Sequence, residues 1–283
     1  MPIVPIPLSD LVQGAPLGEA FDALHQPDWF GHGIYRWRDL VRPDGPWPIV
    51  VLGDLPEPGR LLGTIVGTWA PAPIARFDDL LETACDGGWR APGRPSGGSW
   101  HFFALTVAES ARGAGLQQQL VAAALDWVVR HTPGAGVRTL SPAQGLPGLV
   151  GLVPARFAPS PDERAEAAIV GLCDARGRSA LPILRLHPVN GADLEAVLHR
   201  SRRDEARSGQ VTLRFSYALN EGDRARQRSR HDAFVAARAA AIAAGRGVGP
   251  LLHEGRELWF VSPALLDGPP VWTAARRGAS GLG

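Results

Sequence analysis

LTVAESARGAGLQQQL, residues 105–120, is the stretch on which the reading of this chain turns. An apolar run ends at Val107, a short turn follows, and Arg112-Gly113-Ala114-Gly115 opens a segment in which Leu116, Leu120, Ala124 and Trp127 recur at helical spacing. The pattern predicts a strand over 100–107, a glycine-bearing loop and a helix over 115–130, closed by Pro-Gly-Ala-Gly. A helix start presents N–H groups that lack intrahelical acceptors, at the positive end of its dipole. Gly113 and Gly115 carry no Cβ, so an anion can approach the N–H groups from Gly113 through Ala114, Gly115 and Leu116 to Gln117, and Arg112 can add a charge-assisted contact. That is the chemistry of an anion site, most simply for a diphosphate. The alternative is a tight strand-to-helix turn without a ligand. The segment holds no Gly-Lys-Ser/Thr and no Gly-x-Gly-x-x-Gly, which sets aside the P-loop and dinucleotide fingerprints.

Outward from this segment, residues 48–52 and 61–69 are β-rich apolar runs separated by a Gly, Pro and charge-rich loop, which predicts a hairpin. Residues 1–46 read as irregular, with one short helix over 17–25; a second short helix is expected over 77–85. After the long helix come a strand over 137–140, a Pro- and Gly-rich stretch with a helix start at PDERAEAA, a short apolar segment over 181–187, and strands over 192–198 and 211–219. Residues 220–283 differ in composition: an Arg-rich, then Ala-rich, helical stretch over 222–244 and one more strand over 258–261. The expected organisation is an N-terminal segment 1–46, a central domain 47–219 and a C-terminal extension 220–283, in an α+β layout around a mixed sheet.

Composition bounds the function. The chain has 283 residues, 45% of them hydrophobic, and a formal net charge of +1. That charge gives no general argument for nucleic acid or membrane binding. There is no Lys among the 29 basic residues, so Schiff-base and lysine-base chemistry are excluded. Cys85 and Cys173 stand far apart and in no metal-ligand spacing, and no apolar run approaches the roughly 20 residues of a membrane span. No metal site and no covalently bound cofactor are expected; the reading is of a cytoplasmic, reduced protein.

The loop Arg112 to Gln117 resembles the coenzyme A loop of the GNAT (Gcn5-related acyltransferase) superfamily, Arg/Gln-x-x-Gly-x-Gly/Ala; Gln117 stands where that family prefers Gly or Ala. The resemblance implies a mostly antiparallel central sheet flanked by helices, with the strands at 100–107 and 137–140 splayed apart. It also implies a pantetheine arm pairing with the first of them near Leu105 and Val107. Two further stretches, RTLSPAQGLPG at 138–148 and DARGRSALPILRLHPVNGADLEAVL at 174–198 followed by RSRRDE, resemble the GNAT-like loading domains of bacterial polyketide synthases of the curacin type. Those decarboxylate malonyl-type coenzyme A thioesters and can pass the acyl group to the phosphopantetheine thiol of an acyl carrier protein. The resemblance implies malonyl-, methylmalonyl- or acetyl-CoA as substrate, Thr139 and His187 as catalytic residues, and Arg202 near the active site. Leu186 departs from the family's Phe, and residues 220–283 have no counterpart in it.

The chemistry of Thr139 and His187 can be read from their side chains. Loss of CO2 leaves charge on the thioester oxygen, which a hydroxyl and an imidazole can stabilise by hydrogen bonds, and an imidazole with an ordinary pKa can return a proton. Each also has a bland reading: Thr139 as strand packing, His187 as a core or cap histidine. The other histidines read as structural or surface groups. Arg200, Arg202, Arg203 and Arg207 form either a solvated loop or a surface for an acidic carrier protein, and Trp69 is either core or a tunnel wall. Two rival functions stay open: an amine N-acyltransferase, against which the scarcity of Tyr (Tyr35 and Tyr217 alone) counts mildly, and a non-catalytic acyl-CoA binding module.

Overall fold

The computed structural model describes residues 3–11, 14–25, 49–55, 57, 60–70, 98–132, 134–201 and 208–266. Arg202 and the helix expected over 77–85 lie outside the described residues. The chain divides into two units, Met1–Leu140 and Ser141–Gly283.

In the first unit the strands β1 (Ile3–Pro5), β2 (Ile49–Asp54), β3 (Gly63–Ala70), β4 (Ser99–Val107) and β5 (Gly136–Pro142, whose last two residues belong to the second unit) lie side by side in chain order. Every neighbouring pair is antiparallel except β4 and β5, which are parallel. The expected hairpin is present, from Ile49↔Thr68 to Asp54↔Gly63. β1 corrects the reading of residues 1–46 as irregular save for a helix. It is three residues long, too short to show a period of two, and Pro5 is tolerated because β1 is the edge of the sheet.

Two helices cover opposite faces of this sheet. α1 (Pro16–His25) reaches Thr64 and Thr106 through His25. α2 (Leu116–His131) packs at the neighbouring position: a Cβ on Gly63 would stand 3.0 Å from Leu120 and 3.1 Å from Leu116. Residues 63 and 64 point to opposite faces because side chains alternate along a strand. The apolar spacing that predicted α2 is its buried stripe, Leu116, Leu120, Val121, Ala124, Leu125 and Val128. Trp127 instead lies edge-on to Trp100, whose indole N–H donates to the Thr132 hydroxyl at 2.8 Å.

The β3–β4 register shifts between Val66↔Ala104 and Gly67↔Phe102, a bulge that bends β4 part-way along. Gly67 is glycine because a Cβ there would sit 2.6 Å from the Phe102 ring.

The second unit contains α3 (Leu146–Val150), α4 (Pro161–Gly171), β6 (Leu172–Cys173), α5 (Ile183–Val189), β7 (Ala192–Leu198), β8 (Thr212–Tyr217), α6 (Glu221–Ala243), β9 (Val248–His253) and β10 (Arg256–Phe260). The Ala143 N–H bonds to Val211 O just before β8, and β8 pairs antiparallel with β7. Ser160 and Glu163 of the PDERAEAA segment form a capping box that starts α4. The apolar segment 181–187 enters a helix, α5, which brings Leu184, His187 and Pro188 to one buried side. The tail adds a strand the sequence reading left out, β9. β10 pairs with β9 and, through Trp259↔Cys173 and Phe260↔Leu172, with β6, so the residues beyond 220 share a sheet with residues 172–173.

His25 is fully buried, its Nε2 2.7 Å from the Thr64 hydroxyl and its Nδ1 3.1 Å from that of Thr106. Burial lowers its pKa to about 3, so the imidazole is neutral. The unfolded chain takes up this proton below about pH 6.5, and the folded one only near 3. Its contribution to stability is therefore complete above pH 6.5 and declines as pH falls toward 3. His25→Gln is expected to flatten the dependence of unfolding free energy on pH between 6 and 4 by up to about 1.4 kcal/mol per pH unit, read from urea denaturation at several pH values.

Candidate functional site

β4 ends at Val107, the Ala108 N–H bonds to Leu62 O at 2.8 Å, and a single 3-10 turn, Glu109–Ala111, delivers Arg112. Gly113 and Gly115 then take φ of +83° and +77°. Both lie in the left-handed region that side chains disfavour. Space is not the reason for glycine: a Cβ on Gly113 would meet nothing within 4 Å, and one on Gly115 only Gln118 Oε1 at 3.9 Å. The same openness leaves the backbone N–H groups accessible.

α2 begins at Gly115 with no side-chain cap, whereas Ser160 caps α4 and Asn220 caps α6. The first inward helical bond is Gln119 N–H to Gly115 O at 3.2 Å, so the N–H groups from Gly113 to Gln118 have no acceptor among the described residues. The Leu116 side chain is buried and contributes only its N–H, while the Gln117 side chain is exposed beside the loop. The Arg112 guanidinium is exposed and carries no ion pair or hydrogen bond among the described residues. It lines a cleft of about 500 Å³ with Arg60, residues 106–109 and the α1 side chains Ala20, Ala23 and Leu24.

Along β4, the ladder to β3 reaches Val107, while the ladder to β5 covers Ser99↔Gly136 to Phe102↔Thr139. Leu105 and Val107 lie beyond that second ladder. Thr139 is 5% exposed and its Oγ1 has no hydrogen-bond partner among the described residues.

The second unit holds a separate cluster. His187, on α5, is 2% exposed; its Nε2 lies 2.8 Å from the Ser141 hydroxyl and its Nδ1 2.5 Å from the Tyr217 hydroxyl. The ring leans on Phe215 with centroids 4.3 Å apart. Burial lowers the His187 pKa to about 3. The imidazole is thus neutral, not the group of ordinary pKa that the residues alone suggested. A neutral imidazole donates from one nitrogen and accepts at the other. If Nδ1 accepts from Tyr217, Nε2–H donates to Ser141 Oγ and leaves the Ser141 hydrogen free for a ligand oxygen. Ser141 is half-buried, so in this chain of three groups it is the hydroxyl nearest solvent.

Val107 and Arg112 line one cleft, and His187 is at the centre of a polar cluster. Ser141 and Tyr217, its partners, carried no assignment from sequence. Signals existed: Ser141 lies two residues beyond Thr139, hence on the same face of β5, and Tyr217 follows Leu213 and Phe215 on the buried face of β8. No group of three or more His, Cys, Asp or Glu among the described residues could hold a metal ion, and none of the described helices is long and apolar enough to cross a membrane.

No family model matches the sequence, and no curated protein matches it. Solved structures do match its fold. A malonyl-CoA decarboxylase from Cupriavidus metallidurans aligns with a TM-score of 0.57 at 17% identity over 82% of this chain. The chain spans only 63% of that protein's length. The loading GNATL domain of CurA from Lyngbya majuscula aligns with a TM-score of 0.54 at 17% identity, over 77% of this chain and 97% of that domain. The GphF GNAT-like decarboxylase, solved in complex with isobutyryl-CoA, aligns at 0.56 and 19%, over 78% and 100%. The fold is therefore that of the GNAT-like decarboxylases, a mixed and mostly antiparallel sheet flanked by helices.

Removing the Tyr217 hydroxyl leaves a buried imidazole nitrogen without its partner. Tyr217→Phe is expected to lower the unfolding free energy by about 1–3 kcal/mol, measured by chemical denaturation at pH 7.

Proposed function

We propose that this chain is an acyl-CoA-dependent enzyme that decarboxylates malonyl- or methylmalonyl-CoA and can hand the resulting acyl group to the thiol of an acyl carrier protein. The observation that carries this reading is the hydrogen-bonded series Ser141–His187–Tyr217, buried and neutral, in a fold shared with decarboxylases of malonyl thioesters. The glycine loop supports it from the binding side. Its open N–H groups and the unpaired Arg112 match the charge of a diphosphate, and Leu105 and Val107 offer backbone to a pantetheine amide.

In the proposed reaction the bond between the carboxylate carbon and C2 of the malonyl group breaks, CO2 leaves, and the electron pair moves through C2 onto the thioester oxygen. No base is needed for this step. Charge on that oxygen is stabilised by hydroxyl donors. Ser141, oriented by His187, is one; Thr139, the catalytic residue that the resemblance implies, has an Oγ1 with no hydrogen-bond partner among the described residues. C2 of the enolate then takes a proton to give the acetyl or propionyl thioester. The Ser141 hydroxyl can supply it, with the His187 Nε2 proton moving to Ser141 and the Tyr217 proton to Nδ1; the charge then rests on Tyr217 as phenolate, which regains a proton from water through the same series, run in reverse, as product leaves. A relay of this kind lets a neutral imidazole move a proton without becoming an imidazolium. Arg202, which the resemblance places near the active site, lies outside the described residues.

Incubation with malonyl-CoA and mass spectrometry of the products tests the reading. Acetyl-CoA is the expected product; an acylated amine would identify an N-acyltransferase, and unchanged ligand a binding module. Ser141→Ala and Thr139→Val are each expected to lower turnover on the order of 10²–10³-fold. His187→Ala is expected to act in the same direction while leaving coenzyme A affinity unchanged. The rate should show no imidazole titration between pH 5 and 8, because the His187 pKa lies near 3. Arg112→Ala should weaken coenzyme A binding by about 1–3 kcal/mol, and calorimetry showing unchanged affinity would remove the diphosphate assignment.

A further inference from the structure

The geometry points to a second anion subsite beside the glycine loop: we infer that Arg60 receives the ribose 3′-phosphate of a 3′-phosphorylated adenosine nucleotide in the cleft it shares with Arg112. This rests on the acyl-CoA reading above and adds to it the part of the ligand that the loop does not hold.

Arg60 and Arg112 come from different segments, the β2–β3 connection and the end of the 3-10 turn, yet both line the same cleft of about 500 Å³. That volume lies in the ordinary range of small-molecule sites, about 300–1,000 Å³. The backbone of Arg60 is fixed: its N–H bonds to Glu57 O at 3.1 Å, and the Leu62 N–H bonds to Asp54 O at 3.1 Å. Neither guanidinium has an ion pair or hydrogen bond among the described residues. On α6, by contrast, Arg224, Arg226, Arg228 and Arg230 are each paired with a carboxylate. Two unpaired cations that share a cleft repel each other, and an anion between them turns that repulsion into attraction.

The remaining lining narrows the class of ligand. Ala20, Ala23 and Leu24 form an apolar wall, held in place because His25, at the end of the same helix, bonds Thr64 and Thr106. The Thr106 hydroxyl is thus already engaged with the imidazole. Glu109 is the one carboxylate among the described lining residues, and it too has no partner among the described residues. A free inorganic anion gains nothing from the apolar wall and is repelled by Glu109. A nucleotide suits all three features, with a phosphate for the arginines, a ribose hydroxyl to donate to Glu109, and a flat apolar face for the wall. Coenzyme A carries its 3′-phosphate and its diphosphate on one ribose, so a loop that holds the diphosphate needs a second cation one sugar away.

The test compares coenzyme A with 3′-dephospho-coenzyme A by calorimetry on the full chain. The parent is expected to bind coenzyme A on the order of 10–100-fold tighter, the range for charge-assisted contacts. Arg60→Gln should reduce that ratio to within about threefold, and Arg60→Lys, which keeps the charge, should retain part of it. A parent that binds both ligands equally, or an Arg60→Gln variant whose ratio is unchanged, would overturn the subsite while the acyl-CoA reading stood. Absence of binding for both ligands would overturn the acyl-CoA reading itself.

Discussion

The parallel pairing of β4 with β5 is the constraint on which the glycine loop and the helix after it depend. An antiparallel pair can close with two residues, but a parallel pair obliges the chain to travel back the length of the strand before it can pair again. Here the return path is α2. The N-terminus of that helix must consequently lie near the end of β4, and the chain must turn sharply to enter it. Gly113 and Gly115 meet that demand with left-handed backbone, and the cap position they create carries no side chain. A row of N–H groups beside an exposed arginine is thus a direct product of how the sheet is connected.

Two buried imidazoles show how the same physical device serves different ends. His25 and His187 are both enclosed, both neutral, and each is met by two hydroxyls. Burial without those partners would leave polar nitrogens desolvated and unpaired, so each hydroxyl is needed to keep the ring where it is. For His25 both partners sit on neighbouring strands, Thr64 and Thr106 in register, and the result is a clamp between α1 and the sheet. For His187 the partners differ in exposure. Tyr217 is buried, while Ser141 is half-buried, so the network has an inner and an outer end. A network with an outer hydroxyl can address a ligand; one with two inner hydroxyls is confined to structure.

Arginine is the only strong cation in this chain, and its placements separate by partner. Along α6 the arginines answer carboxylates three or seven residues away, or Asp193. Arg238 is buried, donates to Val170 O at 3.0 Å and stacks over Phe234. Its pKa is lowered to about 10, chiefly by burial, while burial raises the nearby Cys173 thiol to about 11. A thiol so protonated is a poor nucleophile, in keeping with a structural residue. Arg60 and Arg112 have no such answer among the described residues, and they line one cleft.

Residues near each other in sequence carried much of what could be read without coordinates. The strand–loop–helix of 100–131, the hairpin around 49–70 and the strands at 192–198 and 212–217 follow from local periodicity and turn chemistry, which neighbouring residues settle between themselves. The glycine loop was legible for the same reason, because every group in it lies within a few residues. Three-residue β1 and the β9–β10 pairing with β6 were not, since a short strand is defined by its partner and not by its own pattern. Thr139 and His187 stood out through motif resemblance. Their surroundings required the fold: Ser141 and Tyr217 lie 46 and 30 residues from His187 and meet it only through tertiary packing. Sequence alone thus determined the local elements and the identity of the polar residues. Tertiary structure decided which of them are buried, which hydroxyls face which imidazole, and so which histidine clamps a helix and which meets a half-buried hydroxyl, because burial and hydrogen-bond partnership depend on contacts between residues far apart along the chain.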